Sequence, residues 1–110
     1  MRKKLLQEAT KNATLVPFKV METAVKGFAL IREMIEKGNP NSITDAAVGA
    51  LALRSCIKGA YLNVRINISS LDDKAFSEDL ISNGLKIEKH AIKEEEEILL
   101  LVDSLMKKDS

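Results

Sequence analysis

Little in this chain points to secretion, to membranes or to nucleic acid. Cys56 is the one cysteine, so no internal disulfide can form, which fits a reduced compartment. The longest apolar run, Ile98 to Val102, is far short of the roughly 20 residues that a membrane-spanning helix needs. The start is basic and then apolar, but Gln7 and Glu8 interrupt it at once, unlike a signal peptide. The expectation is a cytoplasmic protein with no membrane partner. The 17 Lys and Arg face 16 Asp and Glu, for a net charge of +1, which lacks the positive excess of a nucleic-acid binder. HExxH and other metal-ligand spacings are missing, so no metal is expected.

What is present is helix. At 110 residues the chain bounds one domain, and residues 1–110 read as a single helical domain without strand, repeat or low-complexity segment beyond Glu94 to Glu97. Arg2 to Asn12 has helical composition. Pro17 disfavours helix at the residue before it and marks a kink or a tight junction. Met21, Val25, Phe28, Ile31 and Ile35 then recur at helical spacing up to Gly38, a C-terminal cap residue by type. Asn39-Pro40-Asn41 reads as a turn. Ser42 with Asp45 predicts a capping box for a helix running to about Asn67. Ser70 with Asp73 repeats the pattern, and the last helix is predicted from Leu71 to about Lys107. Phe76, Leu80, Ile87, Ala91, Ile98, Val102 and Leu105 form its stripe. At 1.5 Å per residue it is about 54 Å long. Three other helices in a compact bundle would leave its far end bare. The predicted fold is therefore all-α: a bundle of long antiparallel helices, completed by oligomerisation or by a missing N-terminal half.

The centre of the chain is the small-residue helix from Ala46 to Ile66. Gly49, Leu53, Cys56, Ala60 and Asn63 share one face. Glycine in a helix costs about 1 kcal/mol against alanine, so Gly49 and Gly59 predict the close approach of another backbone. On this face Cys56 is expected to be a small apolar packer, and Asn63 a buried amide that bonds either a neighbouring helix or a ligand heterocycle. Asn67 lies one turn on. Arg54, Lys58, Tyr61 and Arg65, at spacings of four, three and four, form a basic stripe around an aromatic ring. It suits either an anionic ligand with a planar ring or a salt-bridged face against the acids of the last helix. His90 is expected in solvent. One or two of Glu94 to Glu97 must face inward and meet a basic partner. Asp45 is either a capping acid or an acid at the mouth of a ligand site.

Two stretches carry a family resemblance. Gly38-Asn39-Pro40-Asn41-Ser42-Ile43-Thr44-Asp45, followed by Gly59-Ala60-Tyr61-Leu62-Asn63-Val64-Arg65-Ile66-Asn67, resembles the cyclodeaminase/methenyltetrahydrofolate cyclohydrolase family, which supplies the deaminase part of formiminotransferase-cyclodeaminase. Ala13-Thr14-Leu15-Val16-Pro17, Glu22-Thr23-Ala24 and Leu71-Asp72-Asp73-Lys74-Ala75-Phe76 are similar too. The resemblance implies an all-α fold, a dimer and a tetrahydrofolate derivative as substrate. Cyclodeaminases close formiminotetrahydrofolate to methenyltetrahydrofolate with loss of ammonia, a lyase-type reaction. Cyclohydrolases open the methenyl ring with water, a hydrolase-type reaction. Carried onto this chain, Asp45 becomes the acid/base. Asn63 becomes a contact to the heterocycle, and Arg54, Lys58, Tyr61 and Arg65 become contacts to the rest of the substrate, with the cations on its glutamyl carboxylates.

Members of the family run to roughly twice this length, and their first half carries a Gly-Gly-Gly-Ser segment that this chain lacks. The resemblance is to the C-terminal half, so the expected partner is a second copy or a chain carrying the other half. The alternative expectation is a non-catalytic helical dimerisation module, a remnant of such an enzyme.

Overall fold

The computed structural model describes residues 1–38 and 40–108. Four helices follow in order: α1 (Arg2–Val25), α2 (Gly27–Lys37), α3 (Pro40–Ile68) and α4 (Lys74–Lys108). No strand occurs among the described residues, so the chain is all-α as predicted. α1 and α2 make one broken rod. The break is a single tight turn in which the Lys26 N–H donates to the Thr23 carbonyl at 3.3 Å while Lys26 keeps helical dihedrals (φ −69°, ψ −21°). The rod runs antiparallel to α3, and α3 runs antiparallel to α4.

Sequence expectations and structure part at the boundaries. Pro17 ends nothing: α1 passes through it to Val25. The junction comes instead at Gly27, where α3 approaches so closely that a Cβ would lie 2.8 Å from Leu53 Cδ1. Gly38 does end α2, but with extended dihedrals (φ −83°, ψ 156°) rather than the left-handed cap geometry. Asn39 of the expected turn lies outside the described residues. α3 starts at Pro40, a favoured first helical position because proline has no N–H to leave unpaired there. Ser42 and Asp45 are thus inside the helix, and the predicted capping box does not form. At the next junction Asp73 is itself the cap: its Oδ1 accepts from the Phe76 N–H at 3.1 Å, and α4 begins at Lys74, three residues later than predicted.

The core runs along α3. Ala46, Ala50, Ile57, Ala60, Tyr61, Val64 and Ile68 are buried there against Phe18 and Met21 of α1, Phe28, Ile31 and Ile35 of α2, and Leu80, Ala91, Ile98 and Val102 of α4. The far end of α4 is not bare, contrary to expectation. α2 lies over it, and Ile98 and Val102 are buried. At the other end Gln7 locks α1 to the α3–α4 turn, donating to the Ser70 carbonyl at 3.0 Å and accepting from the Asp72 N–H at 2.8 Å. Lys11 pairs with Asp73 at 2.8 Å beside them.

The molecule is a rod of 66 × 17 × 16 Å with a radius of gyration of 17.7 Å. A compact chain of this length would have a radius near 13 Å. A layer only three helices thick cannot cover both sides of each helix, and many apolar side chains remain outside.

Candidate functional site

A concavity of mixed polar and apolar lining lies between α1 and α3. It is an open groove of about 480 Å³, lined by Ala13, Val16, Pro17 and Val20 on one wall and Cys56, Ala60, Asn63 and Asn67 on the other. Helical spacing explains the second wall: residues 56, 60, 63 and 67 recur at steps of four, three and four. The first wall has a feature that spacing alone hides. Pro17 has no N–H, so the carbonyl four residues earlier, at Ala13, loses its helical donor. A hydrogen-bond acceptor and two side-chain amides thus line an otherwise apolar trough. The proline is legible in the sequence, and its position four after Ala13 is the signal that a reading of Pro17 as a kink passes over.

Asn63 is exposed, not buried as expected. Cys56 is exposed too and does not pack into the core of this chain. The small-residue face that seemed central to packing therefore looks outward along part of its length. Gly59 has nothing within 4 Å of the place a Cβ would occupy, against the expected close helix contact, whereas Gly49 does meet Ile31 Cδ1 at 3.3 Å.

The basic stripe sits on the other side of α3, along the seam with α4. Tyr61 is buried, and its hydroxyl donates to the Ile81 carbonyl at 3.0 Å. Burial raises the phenol's pKa, so it stays a neutral donor. Room for its ring comes from Gly84, where a Cβ would lie 2.5 Å from Tyr61 Cε1. Arg65 lies over the same ring, 5.4 Å from its centroid. Lys58 reaches Glu88 at 3.4 Å. Arg54, Ser55, Lys58 and Glu95 line a shallow groove there. Acids of α4 thus brace part of this stripe, as the salt-bridged alternative required. Glu88 is buried, and its Oε2 has no hydrogen-bond partner.

Asp45 is exposed on α3, on the same side as Asn63 but about 27 Å along the axis at 1.5 Å per residue. The structure brings together Asn63, Asn67 and Cys56. It sets Arg54, Lys58 and Arg65 on another face, and Asp45 at a distance from both. Among the described residues no carboxylate or histidine lines the Asn63 groove. His90 is in solvent, as expected. Among the described residues no three His, Cys, Asp or Glu side chains gather as metal ligands, and no helix is long and apolar enough to cross a membrane.

Comparison with known proteins gives the family. Residues 1–84 match the family model described as formiminotransferase-cyclodeaminase. The chain belongs to the formiminotransferase-cyclodeaminase family. Its curated relatives include the methenyltetrahydrofolate cyclohydrolase of Methylorubrum extorquens, 38% identical over 81% of this chain and 44% of the relative. The formimidoyltransferase-cyclodeaminase of Rattus norvegicus is 37% identical over 66% of this chain and 14% of its own length. That of Dictyostelium discoideum is 27% identical over 90% of this chain and 18% of its own. This family member therefore spans less than half the length of the relatives it matches. The matched region contains both walls of the Asn63 groove.

Proposed function

We propose that this chain forms the C-terminal helical part of a folate-processing unit of the cyclodeaminase or methenyltetrahydrofolate cyclohydrolase type, working in one-carbon metabolism. The observation that carries this is the groove: two amides one turn apart, Asn63 exposed and Asn67 half-buried, facing an apolar wall, within the region matched by the formiminotransferase-cyclodeaminase family model. The flat apolar walls suit the face of a pterin-like ring. The amides of Asn63 and Asn67 both donate and accept, as a heterocycle with mixed edges requires.

Both candidate reactions turn on one carbon between two nitrogens. In ring closure, the second nitrogen, an amine outside the pterin ring, attacks the formimino carbon, and ammonia leaves. In ring opening, water adds to the methenyl carbon and one carbon–nitrogen bond breaks. Each needs a proton carried between nitrogen and solvent. The groove's own residues bind and orient; among the described residues Cys56 is its one titratable side chain, and Asp45 is too far along α3 within one chain. The proton carrier is therefore assigned to the completed assembly, with Asp45 as the candidate from a neighbouring chain. Arg54, Lys58 and Arg65 are assigned to the glutamyl carboxylates, again across a boundary between chains, and Tyr61 to holding Arg65. The assembly is completed by a second copy or by a chain carrying the remainder of the relatives' length. A cytoplasmic location fits this reading.

The experiment is a titration with a stable reduced folate. It uses the chain alone and the chain mixed with the unmatched segment of the bacterial cyclohydrolase. Saturable binding, weakened at least tenfold by Asn63→Ala at unchanged melting temperature, supports the assignment. Absence of binding in both mixtures overturns it.

A further inference from the structure

Pro17 has no turn to make. α1 passes through it to Val25, and the rod breaks further on, at Lys26. A proline inside a helix removes a hydrogen bond, and its ring crowds the carbonyl four residues back. In α1 both effects fall on Ala13. Ala13 and Pro17 stand together on the groove wall that faces Asn63 and Asn67. Thr14, next in the chain, faces the core: it is buried, and its hydroxyl donates back to the Thr10 carbonyl at 2.6 Å. The two walls are also in register. Along antiparallel helices of equal rise, counting back from Gly27 beside Leu53 sets Ala13 level with Asn67. Counting on from Gln7 beside Ser70 sets it level with Val64. Ala13 therefore stands opposite the turn of α3 that carries Asn63 and Asn67.

We infer that the Ala13 carbonyl, left without its helical donor by Pro17, fixes which way round the heterocycle lies by accepting an N–H from its amino-bearing edge. The side-chain amides alone cannot fix it. Each carries a donor and an acceptor on one carbon and can turn over to exchange them, so Asn63 and Asn67 satisfy the ring in either sense. A backbone carbonyl only accepts. A ring that presents its own oxygen to Ala13 sets two acceptors face to face, whereas one that presents an amino group there gains a bond. Val16 and Val20, on the same wall, have no polar side-chain atom to compete. The ligand is thereby narrowed to a flat ring with an amino group on the edge that enters between Ala13 and Asn67. Ala13 is then a specificity-determining contact, and Pro17 is the positioning residue that keeps its carbonyl available. The inference rests on the folate reading of this groove and deepens it.

The test compares two ligands in the mixture used for the folate titration: a stable reduced folate, and an analogue with a methyl group in place of the ring amino group. Wild type should hold the amino form about tenfold more tightly, the worth of one hydrogen bond. Pro17→Ala gives the Ala13 carbonyl an N–H from within the helix and should remove that preference. Pro17→Val brings the same N–H while keeping more of the ring's bulk, so it should remove the preference as well. The helix gains a bond in both variants, so lost discrimination cannot come from a loosened α1; helical circular dichroism and melting curves check this. Equal binding of the two ligands by wild type overturns the inference. So does a preference that survives Pro17→Ala, or one that survives Pro17→Val, which would assign it to the shape of the wall. In each of these cases saturable folate binding leaves the folate reading standing. A wild-type chain that binds no folate removes both.

Discussion

Arg32 grips Glu94 with two parallel bonds, Nε to Oε1 at 3.0 Å and Nη2 to Oε2 at 2.7 Å, and Nη2 also reaches Glu97 at 2.9 Å. This fork joins the middle of α2 to α4, and it explains a run of four glutamates that spacing alone leaves ambiguous. Glu94 faces the bundle and is largely shielded, with 13% of its side chain exposed. Glu95 turns toward the Arg54 groove, Glu97 shares the guanidinium, and Glu96 is in solvent. The Arg32 pair is also what holds α2 over the far end of α4.

Acid should loosen this joint first. The Arg32 hydrogen bonds lower the Glu94 pKa, and Lys11 with the Phe76 N–H lowers that of Asp73. A depressed carboxylate contributes stability that is present above its unfolded pKa, near 4, and lost as pH falls through the folded value. Melting temperature should therefore be flat above about pH 5 and fall below pH 4. Glu94→Gln should flatten part of that fall and cost about 1–2 kcal/mol at neutral pH, a charged-pair figure discounted for Arg32's partial exposure. Equal acid sensitivity in wild type and Glu94→Gln would remove Glu94 from the account.

Gly84 is predicted to be intolerant. Alanine is the better helix former by about 1 kcal/mol, yet its Cβ would meet the Tyr61 ring at 2.5 Å. The ring cannot simply swing away without giving up the bond to the Ile81 carbonyl. Gly84→Ala should destabilise by about 1–3 kcal/mol, the usual overpacking range, and Tyr61→Leu should recover part of the loss. Thermal melts of the two single variants and the double variant measure this coupling. Additive losses would show that the ring and the glycine are independent.

The same contact shows where the sequence stops being informative. Helix type and the inward stripes are local properties. Met21, Phe28, Ile31 and Ile35, then Leu80, Ala91, Ile98 and Val102, can be picked by spacing, and all are buried. Which side of a small-residue helix meets its own core is not local. Cys56, Gly59 and Asn63 share their smallness or polarity with Ala46, Ala50 and Ala60, but the first three face out and the last three are buried. Gly84 needs Tyr61 to give it meaning, and the two meet only once α3 and α4 are aligned. The break at Lys26 likewise depends on Leu53 pressing on Gly27 from another helix, while Pro17, the louder local signal, is absorbed into α1. In the candidate site, Asn63 and its face-mates Cys56 and Ala60 are legible by spacing, but the α1 wall that faces them, Ala13 to Val20, is not.

Lys58 offers a test of the basic stripe. It is half-exposed and pairs with the shielded Glu88 at 3.4 Å, a loose geometry for an ion pair. If its main role is toward glutamyl carboxylates, Lys58→Glu should weaken a polyglutamyl folate more than a monoglutamyl one, because each added carboxylate adds a charge-assisted contact. Calorimetric titration of both ligands against the completed assembly reads this directly. Equal losses would leave Lys58 as a brace between α3 and α4.

Cys56 supplies a probe already in place. The thiol is exposed and lines the same groove as Asn63 and Asn67. It should therefore be alkylated in the native chain without denaturant, at a rate set by its thiolate fraction and access. A reduced folate seated in the groove covers one side of that access. Saturating ligand, with the completing helices present, should slow alkylation severalfold. Asn63→Ala should abolish the protection while leaving the unliganded rate unchanged, since an exposed amide holds no part of the fold in this chain. Mass spectrometry of the labelled chain against time gives both rates. Protection that survives Asn63→Ala would move the ligand off the amide, and bound folate that leaves the rate untouched would place it outside this groove.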